Sequence, residues 1–200
     1  NTFDVCFAVN AAAVAATTLN DYFAQARRDP KIATYGIPAL GSLPQFYGYV
    51  MGKTAGVALN AVPYRGAAPM VTDLVAGHLP AAVGPCREMM EQRKSGKLRF
   101  LATVQRLTWA PEVALFADSG VKLGPPSWVA VYAHAKVPAD KLLAMQNAIR
   151  DLMQAQSFPD RMTAAGFVPR YVPGKELGAL AQEATTYWGA QIRESGFRPE

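Results

Sequence analysis

Apolar residues in this chain come in short runs, each closed by Gly, Pro or Asp and each followed by a segment of helical spacing. Thr2 to Val9 reads as a strand ending at Asn10. After a linker of alanines, Thr17 or Thr18 caps a helix over Leu19 to Arg28, with Leu19, Tyr22, Phe23 and Ala26 on one face. Asp29-Pro30 stops it. Two strand–turn–helix units come next. In the first, the apolar run from Ile32 to Gly36 leads through Gly41-Ser42-Leu43-Pro44 into a helix over Gln45 to Thr54, closed by Gly56. The second joins a strand at Ala58 to Val62 to a helix at Ala67 to Ala76 through Pro63-Tyr64-Arg65-Gly66, and Gly77 ends that helix. A weaker third strand (His78 to Val83) precedes Gly84-Pro85-Cys86 and a helix over Arg87 to Arg93, and Leu98 to Val104 is a fourth strand.

The second half has a different rhythm. Arg106 to Pro126 is a connection marked by Pro and Gly, with a helical piece near Val113 to Ser119. Ser127 to Ala133 is apolar enough to predict a strand. Lys141 to Ala155 predicts an amphipathic helix with Leu142, Met145, Ile149 and Leu152 in one stripe. A helix opening at Ser157-Phe158-Pro159, a short strand at Val168 to Val172 and a last helix over Lys175 to Ser195 complete the pattern.

Successive strand–turn–helix units imply parallel strands whose helix N-termini gather at one sheet edge, where open α/β folds bind ligands. Ser42 suits an N-cap, and Pro44 and Pro69 lie in first helical turns, where their missing N–H is harmless. Gly66 and Ala67 carry no bulk, so an anion could reach the first free amides of the helix that follows. The competing reading is an ordinary joint with water on those amides.

Composition narrows the classes. The chain has 200 residues, half of them apolar and only 18% charged, which describes a folded α/β chain with room for one large or two small domains. Its net charge is +5, but the basic residues are scattered apart from Arg93-Lys94 with Lys97 and Arg99, and no aromatic stripe interleaves with them. A nucleic-acid surface is therefore not expected. No apolar run is long enough to span a bilayer, and Val5 to Leu19 lacks the basic lead-in of a signal peptide.

Candidate chemistry is sparse. Cys6 and Cys86 are isolated and make no metal motif; buried free thiols are the commoner outcome for such residues, with a disulfide the alternative in an oxidising compartment. His78 and His134 have no local partner that would suit zinc or a thiol nucleophile on Cys86. The glycine-bearing turns have neither a P-loop ending nor a dinucleotide fingerprint. The expectation is a binding protein with no catalytic residue, no metal and no cofactor.

Val62-Pro63-Tyr64-Arg65-Gly66 with Pro69, Asp73-Leu74 and Gly77 resembles the motif V-P-Y-K/R-G-x-x-P-x-x-x-D-L-x-x-G of the Bug receptors, the substrate-binding proteins of tripartite tricarboxylate transporters. The likeness extends through Tyr35-Gly36, Gly41-Ser42, Lys94-Ser95-Gly96-Lys97-Leu98-Arg99, Ser127-Trp128 and Val137-Pro138 to Trp188-Gly189 and Ser195-Gly196. The resemblance implies a type II periplasmic binding-protein fold of two lobes, each a central sheet flanked by helices. It also implies a periplasmic receptor that traps a small carboxylate (a di- or tricarboxylate, or an amino or aromatic acid) and passes it to membrane transporter subunits. Carried over by position, the ligand-binding residues are Gly41 and Ser42 on the first turn, Gly66, Ala67 and Ala68 on the second, Gly84 and Cys86 on the third, and Ser127. Two positions depart from the family: Gln45 stands where His is common, and Pro80 where Asp is common.

The resemblance further implies that the front of the first lobe and a signal peptide lie upstream. On this view residues 11–103 are a complete second lobe, residues 1–10 and 104–200 a partial first lobe, and the exposed sheet edge of the latter invites self-association. Two other readings are an effector-sensing domain of a transcription regulator, which shares this fold, and a thiol hydrolase using Cys86.

Overall fold

Val5–Asn10 (β2), buried along its whole length, is the strand around which most of the chain is built. In the computed structural model, which describes residues 2–155 and 157–198, the chain divides into two compact units. One comprises Asp4–Gly124 with Trp188–Glu200, the other Asn1–Phe3 with Pro125–Tyr187. The larger unit holds a five-stranded sheet of β2, β3 (Thr34–Ile37), β4 (Asn60–Pro63), β5 (Ala81–Pro85) and β6 (Leu98–Thr103), in the order β4-β3-β5-β2-β6. Strands β4, β3 and β5 run parallel, and β2 is antiparallel to both its neighbours, β5 and β6. The family resemblance puts residues 1–10 in the partial first lobe; in the structure Val5–Asn10 lie inside this sheet between β5 and β6, while Thr2–Phe3 pair elsewhere.

Alternation along β2 separates the two layers. Cys6 and Ala8 face Met70 and Leu74 of α3 (Ala67–Ala76) and Met89 of α4 (Cys86–Lys94). Phe7 points the other way and meets Tyr22 of α1 (Leu19–Arg28) edge-on, ring centroids 4.6 Å apart. The start of α1 matches its sequence signal: Asp21 N–H donates to Thr18 Oγ1 and Thr18 N–H to Asp21 Oδ2, both at 3.1 Å, a reciprocal capping box. Helix α2 (Leu43–Ala55) lies so close to β3 that a Cβ on Gly48 would fall 2.0 Å from the Tyr35 hydroxyl.

The last helix of the chain, α7 (Gly174–Glu194), contributes its end to this unit. Trp188 is buried against Tyr47 of α2, with centroids 5.4 Å apart, and Phe197 packs edge-on against Phe46 at 5.6 Å. An ion pair between Lys53 and Glu194 at 2.6 Å is exposed, and such pairs contribute little.

In the smaller unit β1 (Thr2–Phe3) pairs antiparallel with β7 (Phe167–Val168), joined by helices α5 (Ala139–Gln154) and α6 (Ser157–Ala164) and the first part of α7. The strand predicted at Ser127 to Ala133 is not formed. Only Trp128 makes a bridge, to Thr2, while Val131 and Tyr132 are 67% and 70% exposed. Strand β1, which it meets at Thr2, is only two residues long, so the bridge is not extended into a ladder. The final strand is likewise shorter than its apolar run. An apolar groove of about 360 Å³ runs between this segment and the Leu142, Met145 and Ile149 stripe of α5, none of whose residues is buried.

Gly48→Ala is expected to destabilise the protein by about 1–3 kcal/mol, because the methyl must displace the buried Tyr35 ring. Urea denaturation of the variant checks this.

Candidate functional site

Each parallel strand runs directly into a helix: β3 into α2, β4 into α3, β5 into α4. Their turns therefore lie at one edge of the sheet, as the sequence pattern required. A helix N-terminus leaves backbone N–H groups without intrahelical acceptors. The chemical capacity of this edge depends on which of those groups the protein itself has already used.

At the first turn, Gly41 takes φ +72°, and its N–H donates to the side-chain Oε1 of Gln45 at 2.8 Å. Ser42 occupies the N-cap position of α2, yet its hydroxyl turns back and donates to Ala39 O at 2.6 Å rather than capping the helix. Phe197 lies against Gly41, 3.1 Å from where a Cβ would sit. Gln45 thus takes the amide of Gly41, and Phe197 covers that glycine.

The second turn differs. Gly66 has φ +108° and ψ 171°, a conformation that a side chain strains, and nothing lies within 4 Å of where its Cβ would be. Its own N–H donates to Pro38 O at 2.8 Å, and the N–H of Tyr64 donates to Ile37 O at 2.9 Å, so the two turns are stitched together. Pro69 has no N–H. That leaves the amides of Ala67 and Ala68, which have no protein acceptor among the described residues. Ala68 is exposed and Ala67 half-buried.

The motif spacing around this turn has a physical basis. The Tyr64 hydroxyl donates to Asp73 Oδ2 at 2.8 Å, bracing the turn against the second turn of α3. Partial burial, then the Asp73 carboxylate, push the Tyr64 phenol from its ordinary value of 10.0 up to about 12. Asp73 Oδ1 also lies 3.5 Å from Nδ1 of the exposed His78. Gly77 closes α3 in the left-handed conformation, φ +79°. The Tyr64–Asp73 bond and the Gln45–Gly41 contact are positioning features outside the residues expected to bind ligand. The tyrosine and aspartate were nonetheless visible as fixed letters of the motif.

The third turn is used internally. Gly84 is buried in β5, where a Cβ would fall 2.8 Å from Met70 Cε, so its small size lets α3 seat on the sheet. Cys86 donates its N–H to Asp4 O at 2.9 Å, and its thiol is buried 3.9 Å from Thr103 Oγ1. A pairing of Cys86 with His78 is not formed, since that ring faces Asp73. Ser127 is half-buried and belongs to the smaller unit. Of the eight residues selected from sequence, Ala67 and Ala68 offer unused donors and Gly66 leaves the approach open. Gly41, Ser42, Gly84 and Cys86 shape the surrounding turns.

Comparison with known proteins bears on the same stretch. The family model described as "Tripartite tricarboxylate transporter family receptor" matches residues 2–197. The protein BugT of Bordetella pertussis is 27% identical over 185 residues, 90% of this chain and 56% of that relative, so the chain spans little more than half its length. The solved structure of R. palustris Rpa4515 with adipate superposes with a TM-score of 0.83 at 22% identity, over 100% of this chain and 67% of that one. Rhodopseudomonas palustris MatC with bound malate gives 0.74 at 18% identity, over 95% and 66%. These likenesses establish an α/β fold of the type II periplasmic binding-protein kind.

Two outcomes are expected. Gly66→Ala costs about 1–3 kcal/mol by backbone strain alone, since no atom opposes the added methyl; urea denaturation measures it. Because the folded state favours the neutral phenol, the stability Tyr64 contributes is present below about pH 10 and lost as pH rises through about 12. Absorbance titration should show a phenolate step near pH 12 that Tyr64→Phe removes.

Proposed function

The chain belongs to the tripartite tricarboxylate transporter receptor family, and on that premise we propose that it serves as an extracytoplasmic solute receptor that holds a small carboxylate. The observation that carries this reading is the start of α3: two amides without protein acceptors, behind a glycine with open space above it. Preorganised N–H groups at the positive end of a helix bind a carboxylate through charge-assisted hydrogen bonds without burying a counter-ion. The adipate and malate of the two Rhodopseudomonas palustris structures are both dicarboxylates, which favours a di- or tricarboxylate over an amino or aromatic acid as the ligand here.

In this reading Ala67 and Ala68 hold one carboxylate and Gly66 admits it. Gly41 and Ser42 form the neighbouring wall, where Gln45 occupies an amide that would otherwise be free and so restricts what binds beside it. Gly84 and Cys86 support the edge from below. Ser127 is the remaining ligand-binding position that the family likeness implies. The larger unit corresponds to one receptor lobe and the smaller to part of the other, with delivery of the ligand to membrane subunits of a tripartite tricarboxylate transporter. No described helix is long and apolar enough to cross a membrane.

Calorimetric titration with adipate, malate and citrate tests the ligand class, and Ala67→Pro tests the site. Proline is accommodated at the first helical position and removes only the N–H there. Binding of at least one of the acids is expected, weakened about 10-fold to 100-fold by Ala67→Pro, the size of one hydrogen bond to a charged group, with the thermal midpoint nearly unchanged. Native mass spectrometry should detect a small anion lost on denaturation. Failure of all three acids to bind would sink the ligand class; an unaltered affinity in Ala67→Pro would sink the site.

A further inference from the structure

The smaller unit has no core of its own. Among its described residues none is buried, although α5 carries a regular apolar stripe and Ser127 to Ala133 has the composition of a strand. Most of the large apolar side chains left exposed among the described residues belong to it, Val131, Tyr132, Leu143 and Leu152 among them. Apolar burial drives folding, so a unit of this kind needs a second surface to close it. The groove beside α5 indicates what that surface must offer. Trp128, Val129 and Val131 line it together with Leu142, Met145 and Ile149. Arg170, a charged side chain on its lining, is already paired with Glu176 at 2.7 Å, so the groove favours an apolar occupant over an anion. The backbone beside it is unfinished as well. Ala130, Val131, Tyr132 and Ala133 make no backbone hydrogen bond among the described residues, and the segment touches β1 only through the bridge from Trp128 to Thr2. Unpaired N–H and C=O groups next to an apolar groove mark a sheet edge that accepts a further strand. A small acid or a lipid chain would leave those groups unpaired.

We propose that this face docks an apolar β-strand of receptor polypeptide, taken from the part of the family's length that this chain does not span. The strand pairs with residues 130–133 and packs its side chains on the Leu142, Met145 and Ile149 stripe of α5. The source of the strand follows from the coverage. The whole of this chain superposes on the Rpa4515 structure yet accounts for only 67% of it, and the match to BugT takes in only 56% of that protein. The unmatched remainder of BugT approaches the matched part in length, far more than one strand requires. The inference rests on membership of the family and not on the carboxylate site, so either can fail without the other.

The test is co-expression of this chain with the BugT polypeptide that lies outside the 185 matched residues, followed by native mass spectrometry and hydrogen–deuterium exchange without any carboxylate. A one-to-one complex is expected, with slowed exchange of the amides at residues 130–133. Ala130→Pro and Val131→Pro each delete an N–H that bonds to no backbone acceptor in the free chain, so the chain itself should keep its thermal midpoint. Neighbouring residues of a strand direct their N–H groups to opposite edges, so at least one of the two should weaken the complex about 10-fold. Met145→Asp, which places a charge on the exposed stripe of α5, should weaken it at least as much. Absence of a complex, or a complex indifferent to all of these substitutions, would overturn the proposal. So would a homodimer of this chain that Met145→Asp dissociates, since the occupant would then be a second copy.

Discussion

The central strand, β2, must satisfy its backbone without water, and much of the larger unit follows from that. A strand buried on both faces requires neighbours on both sides, and β5 and β6 provide them, both antiparallel. The antiparallel sense has a consequence at the ligand edge. The residue before β2, Asp4, comes to lie beside the residue after β5, Cys86, and its carbonyl takes the first amide of α4. Of the three helix starts at this edge, one thereby has its first amide taken by the strand that holds the sheet together.

The other two starts are separated by side-chain size. At α2 the long Gln45 side chain folds back to Gly41, and Phe197 presses on the same glycine. At α3 the residues are Gly66, Ala67 and Ala68, none of which can reach back to cap the turn. Helix α3 is held instead from beneath, where Met70 enters the space left by Gly36 and Gly84, and from the side, where Tyr64 bonds Asp73. The exposed amides are thus carried by a helix whose position is firmly determined, and such preorganisation favours tight binding of a small anion.

The two units contrast in how they use apolar surface. In the larger one, both faces of the sheet are covered by helices, with Phe7 and Tyr22 on one side and Ala8, Met70 and Leu74 on the other. In the smaller one, α5 has no buried residue although its stripe of Leu142, Met145 and Ile149 is as regular as any in the chain. Hydrophobic periodicity specifies which face of a helix can be buried; it does not supply the surface that buries it.

Local chemistry was readable from the residues alone. Leu19–Arg28 follows from Thr18, the spacing of its apolar face and Asp29-Pro30, and Ala67–Ala76 from Gly66, Pro69 and Gly77, because helices are stabilised by contacts a few residues apart and stopped by backbone restrictions. The receptor family was legible too, since its motif joins a strand end, a glycine turn and a helix within one short stretch. Only the tertiary structure decided which amides remain available: Pro38 claims that of Gly66, Gln45 that of Gly41 and Asp4 that of Cys86. It also decided that Ser127 to Ala133 would not be a strand. Strand pairing and donor occupancy depend on partners distant in sequence, and no local pattern records where those partners will be.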